Sequence, residues 1–113
     1  METAQIAAAL ASWARQKPLV HRVFIFGSRA RGDHRPDSDL DIAIELDPAE
    51  FNGSDDSGGL ATWMFATVGW KEELQNLVSF KGQLEQYRGH QTPTISRGLE
   101  RSSLLVYEKT WVT

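Results

Sequence analysis

Apolar residues recur along this chain with two periods, one helical and one alternating, and their succession predicts a mixed α/β domain. In residues 3–16, Ile6, Leu10 and Trp13 fall at helical spacing among alanines, with Thr3 as a cap and Pro18 closing the segment. Val20 to Phe26 is an apolar run that stops at Gly27-Ser28, and it reads as a strand. A second alternating run opens at Asp39, with Leu40, Ile42 and Ile44 on one face and Asp41, Ala43 and Glu45 on the other. Glu45 and Asp47 are expected to carry it to the surface. Residues 60–80 return to helical spacing through Leu60, Met64, Val68, Leu74, Leu77 and Val78. Trp63, Phe65 and Trp70 broaden that stripe and are expected in the core. Lys81-Gly82 is a turn, Gln83 to Tyr87 a short strand, and Thr92-Pro93 a loop. Residues 96–103 read as a short helix and Leu104 to Tyr107 as a last strand, with Trp111 packing beyond it.

A chain of 113 residues with 41% hydrophobic residues buries one modest core, so residues 1–113 are expected to form a single domain. The glycine- and serine-rich segment 47–59 is expected to be a flexible loop. Twelve basic residues against fifteen acidic ones give a net charge of −3, which predicts no nucleic acid as a direct ligand. The chain has no cysteine, which excludes disulfides, thiol catalysis and thiolate metal sites. No apolar run approaches a membrane span and no signal peptide is apparent, so a cytoplasmic protein is expected. His21, His34 and His90 stand alone in sequence and read as structural.

The chemistry concentrates between the first two strands. Side chains two apart on a strand share a face and lie roughly 6.6 Å apart, so Asp39 and Asp41 project together. Two adjacent carboxylates repel unless a cation lies between them, and hard oxygen ligands suit Mg²⁺. Glu45, roughly 13 Å from Asp41 along the strand, is too distant to join them. At the other end of the connection, Gly27 lets backbone approach a ligand and Ser28 opens a helix start, where free N–H groups favour phosphate. Arg29 and Arg31 could each neutralise a triphosphate, but residues two apart on a helix diverge, so one at most faces the ligand. Arg35 reads as solvated, Asp33 and Asp37 as turn residues, and Asp55-Asp56 as a pair too mobile to form a site.

Gly27-Ser28, ten intervening residues and Asp39-Leu40-Asp41 resemble the signature of the DNA polymerase beta-like nucleotidyltransferase superfamily. Arg29-Ala30-Arg31-Gly32 and Ser38 look most like its minimal, MntA-type nucleotidyltransferases. The resemblance implies an α/β (α+β) nucleotidyltransferase fold, a mixed sheet of about four strands with helices mainly on one face and the nucleotide on the other. It implies transfer of AMP from ATP to an acceptor hydroxyl, with Asp39, Asp41 and Glu85 catalytic and binding two Mg²⁺ ions. Gly27, Ser28, Arg29 and Arg31 would hold the nucleotide. Glu85 departs from the family pattern, which usually has aspartate on the corresponding strand. Proteins of this look are often antitoxins that adenylylate a tyrosine of a separate HEPN-type toxin. Nucleotidyl transfer to a small molecule such as an aminoglycoside, and an inactive nucleotide-binding or partner-binding module, are the alternatives; homo-oligomerisation is left open.

Overall fold

The computed structural model describes residues 2–32, 39–50, 59–78, 82–88 and 92–110. Its elements follow in the order α1 (Thr3–Arg15), β1 (Val20–Phe26), α2 (Ser28–Arg31), β2 (Leu40–Leu46), a 3-10 turn (Pro48–Glu50), α3 (Leu60–Val78), β3 (Gly82–Gln86), α4 (Pro93–Arg101) and β4 (Ser103–Glu108). The four strands form one mixed sheet in the order β3-β2-β1-β4, as the α/β expectation requires. β1 pairs antiparallel with β2 and β4, while β2 and β3 run parallel because α3 carries the chain across between them.

Alternation along β1 and β2 sends Val23, Ile25, Ile42 and Ile44 to one face, where all four are fully buried. α1 supplies Ile6, Leu10, Trp13 and Ala14 to the same core, and α3 supplies Trp70, Leu74 and Val78. Each large aliphatic side chain buried this way contributes about 1.5–3 kcal/mol. The opposite face carries Phe24, Phe26, Asp41 and Ala43. There α4 brings Gly98 against the Phe26 ring, and Tyr87 meets Phe24 edge-on at 5.7 Å.

Several local expectations are corrected. Glu2, not Thr3, caps α1: its N–H donates to Gln5 Oε1 at 2.8 Å in a reciprocal capping box. On α3 the buried stripe is Thr67, Trp70, Leu74 and Val78, flanked by the partly buried Trp63. Met64, Phe65 and Val68 face outward, with Phe65 88% exposed. The cause is aromatic packing: Trp70 meets Trp13 at 5.5 Å and Trp63 at 6.2 Å, both edge-on, and that large contact area sets the helix rotation. α4 begins at Pro93, earlier than expected, because proline at a first helical turn forfeits only an N–H that would be unpaired there. Asp47 is not at the surface. It is 1% exposed, its Oδ1 accepts the Ala49 N–H, and its Oδ2 accepts Lys109 Nζ at 2.7 Å, so this part of segment 47–59 is a packed turn. Residues 51–58 and Trp111 lie outside the described residues.

Candidate active site

The site lies at the end of the sheet where β1 stops. Gly27 follows β1 with φ 77° and ψ −148°, a conformation that glycine alone adopts without strain. The last residue of β1, Phe26, pairs with Asp41, and this brings the glycine against the Asp41 carboxylate. A Cβ at position 27 would stand 2.5 Å from Asp41 Oδ2. The glycine therefore serves both the bend and the close approach. Ser28 then starts α2, a single turn in which the N–H groups of Ala30 and Arg31 donate to the Gly27 carbonyl at 3.1 and 3.2 Å.

Asp41 is half-buried on the face opposite the helical core, and Asp39 stands exposed just before β2. The parallel register sets Glu85 opposite Ala43, two pairs beyond Asp41↔Gln83, so Glu85 shares the face of Asp41. The diagonal between those two positions is roughly 8 Å at ordinary strand spacing. The electrostatics agree. Burial raises the Asp41 carboxyl above its usual range, the charges of Asp39 and then Glu85 raise it further, and Arg31 partly offsets them. The three carboxylates expected from the sequence, Asp39, Asp41 and Glu85, thus lie in one electrostatic field. The sequence left the choice between the two arginines open. Arg31 is the one that acts on Asp41, while Arg29 is half-buried with its Nε inaccessible to solvent. Asp33, Arg35, Asp37 and Ser38 lie outside the described residues.

Among the described residues, no three His, Cys, Asp or Glu side chains already converge to hold a metal ion. A half-buried carboxylate raised by two acidic neighbours is nevertheless a fitting partner for a hard divalent cation, which relieves that repulsion. Mg²⁺ usually takes only one or two carboxylates and fills its shell with phosphate oxygens and water, so the donor set suits it.

The spacing of secondary structure also forms a cleft that the sequence pattern did not reveal. It has a volume of about 450 Å³ and lies between Lys71 and Gln75 of α3 and Gly82, Gln83, Leu84 and Glu85 of β3. Helical spacing puts Lys71 and Gln75 on one side of α3, but only the crossover places that side beside β3.

The nucleotidyltransferase domain family matches residues 8–100, the greater part of the chain, from within α1 to within α4. The chain belongs to the nucleotidyltransferase domain family. No curated protein sequence matches it. Among solved structures, a toxin-antitoxin crystallised with AMP-PNP superposes with a TM-score of 0.60 at 18% identity, covering 92% of this chain and 74% of that one. At that identity the likeness shows a shared fold. A candidate nucleotidyltransferase from Sulfolobus solfataricus aligns over 96% of this chain and 81% of its own, at 18% identity and a TM-score of 0.46. Members of the nucleotidyltransferase family typically use a nucleoside triphosphate and a divalent metal. No helix among the described residues is long and apolar enough to cross a membrane.

Proposed function

We propose that this nucleotidyltransferase transfers AMP from ATP to a hydroxyl of a separate partner protein. The observation that carries the proposal is the packing of Gly27 against the Asp41 carboxylate, with Asp39 and Glu85 in the same electrostatic field. In this reading the backbone after Gly27 and the Ser28 hydroxyl bind the β- and γ-phosphates, and Arg31 neutralises charge beside Asp41. Asp39 and Asp41, with Glu85, would hold Mg²⁺, which when bound neutralises the triphosphate and lowers the barrier to phosphoryl displacement. Glu85 accepts the proton of the attacking hydroxyl. The hydroxyl oxygen forms a bond to the α-phosphorus, the bond from the α-phosphorus to its bridging oxygen breaks, and pyrophosphate leaves with that electron pair. Positioning and charge complementarity supply most of the rate enhancement, because the chain contributes no covalent intermediate.

Two features support ATP and a protein acceptor. One structural relative is a toxin-antitoxin crystallised with AMP-PNP, an ATP analogue. That it is a toxin-antitoxin favours a protein as the acceptor over a small molecule. A tyrosine of a HEPN-type toxin is the acceptor that the sequence resemblance favours. The test is incubation with α-labelled ATP, Mg²⁺ and the product of the neighbouring gene. Label on that protein, lost with Asp41→Asn, is the expected result; tight partner binding without label identifies an inert binding module instead. That second reading is favoured by the lack of a ready three-carboxylate cluster among the described residues.

A further inference from the structure

β3 is the outermost strand beside β2, and among the described residues no strand lies beyond it. Its backbone groups alternate in direction. The Tyr87 N–H donates inward to Ile44 O at 2.9 Å, so in the parallel ladder the odd-numbered residues bond to β2. Leu84 and Gln86 therefore aim their N–H and C=O groups away from the sheet. Such an edge, open among the described residues, is a template for one more strand. Natural sheets often protect it with proline or an edge lysine, and Gly82–Gln86 has neither. The cleft of about 450 Å³ follows this same edge, walled on the far side by Lys71 and Gln75 of α3. Its volume lies within the range of ordinary ligand clefts.

We propose that the acceptor enters as an extended peptide segment that adds to the free edge of β3. The inference rests on the nucleotidyl-transfer reading and specifies its acceptor: a strand-forming segment carrying a hydroxyl side chain. A strand added here lies roughly 4.8 Å from β3. Its residue beside Glu85 points to the same face as Glu85, which is the face of Asp41. The main-chain bonds to Leu84 and Gln86 give affinity that tolerates sequence, and the alternate side chains give selectivity. Lys71 and Gln75 receive the polar groups that the segment turns toward α3. The transfer then proceeds as above: the segment's hydroxyl oxygen bonds to the α-phosphorus, its proton passes to the Glu85 carboxylate, and pyrophosphate departs.

The probe is a set of ten-residue tyrosine peptides offered with α-labelled ATP and Mg²⁺, one group rich in threonine and valine and another locked as helices. The extended group should carry the label. Adding a labelled-group peptide with AMP-PNP should slow hydrogen exchange at the Leu84 and Gln86 amides at least about tenfold, while the inward Glu85 and Tyr87 amides stay unchanged. Gln75→Trp, which fills the cleft from an exposed helix position, should cut peptide labelling at least about tenfold and leave AMP-PNP affinity unchanged. Equal labelling of helix-locked peptides, or labelling without protection of Leu84 and Gln86, overturns the proposal. So does protection that rises with protein concentration alone, which would put a second copy of the chain on this edge. AMP-PNP binding without label on any peptide overturns this inference alone, whereas failure to bind AMP-PNP overturns the nucleotide reading with it.

Discussion

At the scale of single residues, Gly27 and Asp41 bear opposite relations to stability. Gly27→Ala places a methyl group against Asp41 Oδ2 in a backbone conformation reserved for glycine. The backbone strain alone costs on the order of 1–3 kcal/mol. Thermal unfolding should report that loss, and AMP-PNP titration should report a weakened site. Asp41 behaves differently. Its pKa is raised above 3.8 by burial, Asp39 and Glu85, so the folded state binds the proton more tightly than the unfolded chain does. Stability therefore falls as pH rises through the window above 3.8, and the charge is a burden at neutral pH. Asp41→Asn should raise the Tm at pH 7 while abolishing transfer, a stability-activity trade expected of a built site. A lower Tm would mean that the carboxylate is structural. The two aspartates and the glycine were legible from spacing alone, because strand alternation and a break in an apolar run are local signals. The approach of Gly27 to Asp41 was not, since it depends on the pairing of Phe26 with Asp41 across two strands.

Among elements, the turn after β2 and the end of β4 are joined at the end of the sheet opposite the site. Burial pushes the Asp47 carboxyl up, but the Lys109 hydrogen bond, the Ala49 amide and the Lys109 charge outweigh it and hold the pKa below 3.8. The folded pKa is depressed, so this stabilisation is present above 3.8 and is lost as pH falls through the lower folded value. Lys109 is held above 10.5, first by its hydrogen bond to Asp47 against the opposing effect of burial. Lys109→Ala should cost up to roughly 3 kcal/mol, the low end for breaking a buried pair, because the lysine keeps some solvent contact. A urea titration at pH 7 measures it, and the deficit should shrink when the same titration is run below pH 3.8. Gly82 sets the other important register. A Cβ there would collide with the backbone of Leu40, so Gly82→Ala should loosen β3 from β2 and displace Glu85. Faster amide exchange at Glu85 and Tyr87 would show it. The order of elements was readable from hydrophobic period, yet the rotation of α3 was not. Leu60, Met64 and Val68 form a good stripe in isolation, and only the Trp13–Trp70–Trp63 stack decides which stripe faces inward.

For the molecule as a whole, the sheet separates two tasks. One face is packed by α1 and α3 into the core, and the other carries the acidic site. The fold could be anticipated because a chain this short has few ways to bury one apolar face of four strands. The cleft beside β3 could not, because it arises from two elements brought together by the crossover of α3. The central claim is that Asp41, held against Gly27, serves nucleotidyl transfer. Its most direct measurement is label transfer from ATP carrying the label at the α- or the γ-phosphate, to the neighbouring gene's product, by wild type and Asp41→Asn. Label on the acceptor from α-labelled ATP alone, absent with the variant, is the predicted result; label from the γ position, or equal labelling by Asp41→Asn, would contradict the account.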